Sequence, residues 1–202
     1  CSLVGSEMCI RDSSEPVTQA TLRIVKVFWG LEAGLAYRRH FPAIHWLNSY
    51  SLYKDRLEPW FREHVGRGFS EAAAEAMRLL QEESELDEIV KLVGADALSP
   101  RERLTLEAAR SVREDFLQQN AFDPYDSYTP LDKQYRLLCL ILSYYAKSLA
   151  AVEKGADVQA LADMKVRERI GRAKSASDDT YRSDFEAIER ELDDEIETIL
   201  QA

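Results

Sequence analysis

Hydrophobic positions recur at two different periods along this chain, and the change falls near residue 55. Leu22 to Trp29, LRIVKVFW, is apolar and β-branched with only Arg23 and Lys26 polar, which predicts a strand of a well-covered sheet. The polar stretch ahead of it, Ser14 to Thr21, contains Glu15-Pro16 and reads as a loop. Leu31 to Arg39 has helical composition and must stop before Pro42, because the residue ahead of a proline is pushed out of the α region. The segment from His40 to Tyr53 then follows neither period. It is dense in rings, and Phe41, His45, Trp46, Tyr50 and Tyr53 are expected close together.

From Asp55 onward the period is helical. Asp55 to Val65 predicts a first helix, ended by Gly66 and Gly68. Ser70 is the expected N-cap of a long helix reaching Val93, with Met77, Leu80, Leu86, Ile89, Val90 and Val93 as its apolar face and Gly94 closing it. Ser99-Pro100 opens the next helix, with Ser99 capping and Pro100 at the first helical position. Its stripe of Leu104, Ala108, Val112 and Phe116 falls at spacings of four. Leu117 to Asp126 is irregular. Thr129-Pro130 then caps the most apolar helix, which extends to about Lys154 before Gly155. Asp157 to Lys174 and Asp178 to Ala202 are two further amphipathic helices, the last strongly acidic. Short connections between so many helices predict a bundle. A strand and short helix followed only by helices cannot close a sheet, so the rest of that sheet is expected upstream.

Composition agrees with this reading. The 202 residues are 46% apolar and 31% charged with six prolines and eight glycines, which suits a helix-rich globular chain rather than a disordered one. A formal charge of −10 argues against a nucleic-acid surface. No apolar run reaches the ~18 residues of a membrane span. The longest, Leu137 to Tyr145, is interrupted by Ser143 and reads as a buried helix face.

Residues 1–13, CSLVGSEMCIRDS, follow no period and lack the layout of a signal peptide. Leu3 to Ser13 resembles, residue for residue, the translation of a transposase sequencing adapter, so the natural chain is expected to start near Ser14. Cys1 and Cys9 leave with that segment. Cys139 remains alone on an apolar helix face, which gives neither a disulfide framework nor a metal site and suggests a reducing cytoplasm.

Candidate chemistry is sparse. There is no G-x-x-x-x-G-K-[ST] phosphate loop and no G-x-G-x-x-G, and His40, His45 and His64 lack the spacing of a metal or nucleophile site. Runs such as Glu82-Glu83 and Asp193-Asp194-Glu195 read as solvated helix faces. What remains are two irregular segments bearing rings, His40-Phe41-Pro42 and Asn120-Ala121-Phe122. A flat base stacks on an aromatic face with about 1–3 kcal/mol, and small Ala121 would let it approach.

These residues carry a family resemblance. SEPVTQATLRIVKVFWGLEAGLAYRRHFPAIHWLNSYSLY, continued by QEESELDEIVKLVGADALSPRERLTLEAARSVREDFLQQNAF, resembles the catalytic A subunit of V/A-type rotary ATPases. FWGLEAGLAYRRHFPAI and REDFLQQNAF are its most specific strings. From Asp157 onward the likeness is looser, apart from VRERIGRAK at Val166 to Lys174. The resemblance implies a mainly-α fold: a helical C-terminal domain, residues 55–202, following the last strand and helix of a truncated α/β nucleotide-binding domain, residues 14–54. It implies an ATP-hydrolysing or ATP-synthesising complex that moves protons or sodium, peripheral to a membrane, in which A subunits alternate with B subunits around a central stalk. It implies that Phe41 and Phe122 flank the adenine of ATP or ADP, with Gln118, Gln119 and Ala121 beside Phe122. The phosphate loop, its lysine, the water-activating glutamate and the Mg2+ site are implied upstream.

By the same resemblance, Gly94 to Arg103 takes the place of the lever segment that meets the central stalk, through Asp96, Ala97, Leu98, Ser99, Pro100 and Arg101. The related F-type catalytic subunit has a dense acidic run there. Ala97, Pro100, Arg101 and Arg103 interrupt the acidity here, which favours a steric contact. Nucleotide occupancy is expected to bias the angle of the helical domain, the quantity the stalk reads or drives. The alternative is a non-enzymatic helical interaction module whose aromatics only pack its core. The non-catalytic B subunit of the same ring is disfavoured by the FWGLEAGLAYRRHFPAI string.

Overall fold

The computed structural model describes residues 16–201, and the adapter-like segment 1–13 lies outside the described residues. The chain forms two compact units that divide between Pro59 and Trp60.

The first unit contains α1 (Pro16–Leu22), β1 (Val27–Phe28), α2 (Ala33–Tyr37), β2 (Tyr50–Ser51) and the opening turns of α3 (Lys54–His64). Two expectations are corrected here. The segment read as a loop is helical from Pro16, a residue whose fixed φ suits a first helical position. The strand expected over Leu22 to Trp29 shrinks to two residues. β1 pairs antiparallel with β2, Val27 opposite Ser51 and Phe28 opposite Tyr50, and the latter rings stack at 5.9 Å. The Tyr50 hydroxyl donates to the Leu22 and Val25 carbonyls at 2.9 and 3.3 Å, so the chain ahead of β1 is tied down as a turn rather than extended. Ile24 and Trp29, which suggested a covered sheet, are 79% and 69% exposed. Among the described residues this ladder is the only sheet, and the fold is mainly α as expected.

The second unit is the helical bundle. It contains α4 (Phe69–Val93), a 3-10 turn (Ala95–Ala97), α5 (Pro100–Ser111), a π-helix (Val112–Leu117) and α6 (Pro124–Ser127). There follow α7 (Leu131–Glu153), α8 (Val158–Ala162), α9 (Lys165–Arg172), a second 3-10 turn (Ala173–Ser175) and α10 (Tyr181–Gln201). α7 lies at the centre, packed against α4, α5 and α10. By length and composition α7 does reach the threshold of a membrane span. It is nevertheless a core helix, burying Leu137, Leu138, Leu140, Ile141, Tyr144 and Tyr145. Each fully buried side chain of this size contributes about 1.5–3 kcal/mol.

Local chemistry accounts for the ends of these helices. Ser99 Oγ accepts the Glu102 N–H at 3.3 Å while the Glu102 carboxylate accepts the Ser99 N–H at 2.7 Å, a reciprocal capping box with Pro100 at the first helical position. Gly94 ends α4 at φ 88°, a backbone state that a Cβ disfavours. Ser70 is not the N-cap of α4; that place belongs to Gly68. Phe69 stacks on Phe61 at 4.6 Å and meets the Tyr135 ring edge-on at 6.0 Å, which draws the helix start two residues earlier. The buried face of α4 is Ala72, Ala76, Leu79, Leu80 and Leu86, whereas Ile89, Leu92 and Val93 are exposed at its far end.

Two further boundaries differ from the sequence pattern. Thr129 does not cap α7, since its hydroxyl donates backward to the Tyr125 and Asp126 carbonyls at 3.0 and 3.2 Å. The Asp157 to Lys174 helix is broken at Met164, which is extended and buried at 6%. Burying that side chain outweighs helix continuity. Asp157 still caps α8, accepting the Ala160 N–H at 3.2 Å.

Candidate functional site

Phe41 sits on a loop braced by backbone pairing. Leu31 bridges Ile44, the Glu32 N–H donates to the Ala43 carbonyl at 3.0 Å and the His45 N–H to the Gly30 carbonyl at 2.7 Å. Glu32 also lies 3.2 Å from His45 Nε2. The five rings expected to gather here separate into groups. Trp46 stacks on His45 at 5.4 Å and leans on the buried His40 at 5.7 Å, while Tyr50 belongs to the ladder with Phe28. Strand pairing of Tyr50 carries it away from the loop rings. Phe41 is left 57% exposed, a ring offered to its surroundings on a tied backbone.

Phe122 is presented in a different way. α5 continues into the π-helix, whose last bond runs from the Gln118 N–H to the Arg113 carbonyl at 3.0 Å. The loop then turns on Asn120, whose side-chain oxygen accepts the Phe122 N–H at 3.1 Å and whose carbonyl accepts the Asp123 N–H at 3.1 Å. The Asn120 N–H donates to the buried Asp126 carboxylate at 2.6 Å. Phe122 emerges 98% exposed from this bonded turn, with Ala121 and Gln119 exposed and Gln118 half-buried beside it.

Two lysines hold the same loop from beneath. Lys174 Nζ donates to the Gln118 carbonyl at 2.9 Å and to the Glu114 carbonyl at 3.2 Å, and lies 3.9 Å from the Asp126 carboxylate. It therefore places a cation on the carbonyl end of the π-helix, where the helix dipole favours it. Lys133 is entirely buried and donates to the Ala176 carbonyl at 2.6 Å and the Tyr125 carbonyl at 3.0 Å. Its ammonium also lies 3.4 Å from Asp178 and 5.7 Å from the centre of the Tyr125 ring. Ser175 Oγ donates to Asp123 at 2.5 Å; that bond and the Tyr125 N–H hold the Asp123 carboxyl below the usual range.

The π-helix is itself gripped from the side. Arg167 donates to Asp115 at 2.9 Å, reaches Glu107 at 3.3 Å and lies over the Tyr144 ring at 5.6 Å. Ser111 Oγ donates to the same oxygen, Asp115 Oδ2, at 2.7 Å. Sequence reading did not single out Lys133, Lys174, Asp126 or Ser175. The available signal was a lysine inside the most apolar helix of the chain.

The proposed lever is a tight turn. Arg103 folds back to donate to the Leu98 and Asp96 carbonyls at 3.2 and 3.3 Å. Asp96, Ala97, Ser99, Pro100 and Arg101 are exposed, but Leu98 is buried at 5% and anchors the turn instead of facing outward. Leu92 and Val93, at 85% and 64% exposed, extend the outward surface with apolar side chains. Among the described residues no three His, Cys, Asp or Glu side chains are gathered as a metal would require.

Residues 58–162 match the family model described as the C-terminal domain of V and A type ATP synthase. The chain is 57% identical over 189 residues to the V-type ATP synthase alpha chain of Acetivibrio thermocellus, covering 94% of this chain and 32% of that protein. It is 53% identical over 189 residues to the alpha chain of Clostridium botulinum and 51% identical over 190 residues to that of Clostridioides difficile, with the same coverage of each. The chain thus spans about a third of the length of the curated relatives it matches. With more than half of its residues inside the family model and 94% aligned to these relatives, the chain belongs to the C-terminal domain family of V and A type ATP synthases.

Proposed function

We propose that this chain is the nucleotide-sensing C-terminal part of a catalytic subunit in a V/A-type rotary ATPase, and that Phe122 supplies an aromatic face for the adenine of ATP or ADP. The observation that carries the reading is a ring 98% exposed on a turn in which Asn120, Asp126, Lys133 and Lys174 hold the backbone. A solvent-facing phenylalanine contributes nothing to the bundle core, so its rigid presentation suits a partner. Ala121 leaves room beside the ring, and Gln118 and Gln119 offer hydrogen-bonding side chains next to it. Phe41, exposed on its own braced loop, is proposed separately as an aromatic face for a nucleotide base.

This reading gives the chain the base and leaves phosphate and Mg2+ chemistry to the remainder of the subunit. We further propose ATP turnover in the whole complex, with proton or sodium transport, B subunits as neighbours and peripheral membrane attachment, a reading that the family membership supports. Contact with a central stalk is proposed through Asp96, Ala97, Ser99, Pro100 and Arg101, with Leu98 anchoring the turn. The test is Phe122→Ala in the full-length subunit. Loss of one stacked face weakens ATP affinity roughly 5- to 150-fold, and an unchanged affinity removes Phe122 from the site.

A further inference from the structure

The loop that carries Phe122 is bonded at both of its ends to one stretch of chain, Ala173 to Asp178. Lys174 takes the incoming end through the Glu114 and Gln118 carbonyls, and faces the Asp126 carboxylate that holds Asn120. Ser175 takes the middle through Asp123. On the outgoing side Lys133 joins the Tyr125 carbonyl to the Ala176 carbonyl and Asp178. The partners that close the loop lie 43 to 60 positions apart in sequence. The same stretch connects α9 to α10, so the two helices and the loop share one set of polar contacts.

We propose that Lys174 and Lys133 are positioning residues for base recognition: they fix the direction of the Phe122 ring without touching the nucleotide. This rests on the adenine reading of Phe122 given above. The physical reason is geometric. The Asn120 turn has a short span, and its two hydrogen-bonded anchors, the Gln118 carbonyl and the Asp126 carboxylate, both face the Lys174 ammonium. Removing that cation takes away the partner these two groups share and frees the turn to rotate. A ring free to rotate loses the orientation that stacking needs, while the phosphate end of the ligand is unaffected.

The experiment compares Lys174→Met, Lys174→Arg and Phe122→Ala in the full-length subunit, with ATP and inorganic tripolyphosphate as probes and Tm as the check on folding. The expected result is that Lys174→Met weakens ATP by about fivefold or more with tripolyphosphate binding unchanged, and that Lys174→Arg recovers part of the loss. The KM for ATP should rise in the assembled enzyme while kcat stays within about twofold. If Phe122→Ala weakens ATP and Lys174→Met does not, the positioning role is overturned and the adenine reading stands. If Phe122→Ala has no effect, both fall. Equal weakening of ATP and tripolyphosphate by Lys174→Met would assign it a general structural role and overturn the proposal. Should Lys174→Met lower Tm by more than about 10 °C, Ser175→Ala repeats the comparison through the exposed Asp123 contact; it must also weaken ATP selectively for the proposal to hold.

Discussion

Gly66 lies beneath Tyr135 so closely that a Cβ at this position would fall 2.3 Å from ring Cε1 and 2.8 Å from Cδ1. The phenol ring cannot simply swing aside, because it also packs edge-on against Phe69, itself stacked on Phe61. The glycine is there for the space rather than for a special φ. Gly66→Ala should therefore destabilise the second unit by about 1–3 kcal/mol, the usual cost of overpacking. Urea unfolding monitored by circular dichroism measures it. A midpoint equal to that of the unaltered protein would show that the aromatic group repacks freely.

The Ser99–Glu102 box starts α5 immediately after the exposed turn at Asp96 to Ala97. Ser99→Ala removes the side-chain half of the box and should cost about 1 kcal/mol. The loss should appear as faster amide exchange at Glu102 and Arg103 before it appears at Leu104. The Glu102 carboxyl is held below its usual range, chiefly by Ser99, so its contribution is present above the unfolded carboxylate pKa and fades as pH falls through the lower folded value. Uniform exchange along the first two turns of α5 in the variant would contradict the local role of this cap.

Tyr144 makes the opposite prediction at alkaline pH. Burial pushes its phenol up to about 12, outweighing the nearby Arg167 guanidinium. A folded pKa above the unfolded value of about 10 means that the contribution is fully present below pH ~10 and is lost as pH rises toward 12. The loss is of order 2 kcal/mol at the upper end of that window. Tyr144→Phe should flatten the fall of the denaturant midpoint between pH ~9.5 and ~11.5 relative to the unaltered chain. Parallel curves for the two proteins would show that Tyr144 does not control this range.

The parts of the fold legible in the sequence are those whose cause is local. Ser99, Pro100 and Gly94 act within a few residues of themselves, and each did what its chemistry predicts. The central helix α7 was legible for the same reason, through an apolar face too dense to stay in water. The strand expected at Leu22 to Trp29 was misleading because β-branched content signals extended backbone only where a partner strand is long enough, and β2 has two residues. The break at Met164 was hidden because no glycine or proline marks it; the cause is the burial of one thioether against the bundle.

The candidate site divides along the same line. Phe41 and Phe122 stood out as rings in irregular, polar surroundings. The lysines beneath Phe122 did not, since Lys174 resembles any solvated residue near a helix end and its acceptors are 56 and 60 positions away. Lys133 was the more legible of the two, being a charge inside an apolar helix. Its three oxygen partners come together only after α6, α7 and the Ala173–Ser175 turn have packed.

A π-helix is an α-helix carrying one surplus residue in its turn. Between Val112 and Leu117 that surplus sets where Gln118 leaves the helix and hence which way the Asn120 turn departs. Deleting one residue there would draw the π-turn back to α geometry and change the point and direction at which the chain leaves the helix. Lys174, Asp126 and Asn120 would all still be present, but no longer opposite one another. The bearing of the Phe122 ring is thus encoded in chain length as much as in residue identity, and a single-codon deletion would misdirect it more thoroughly than most substitutions.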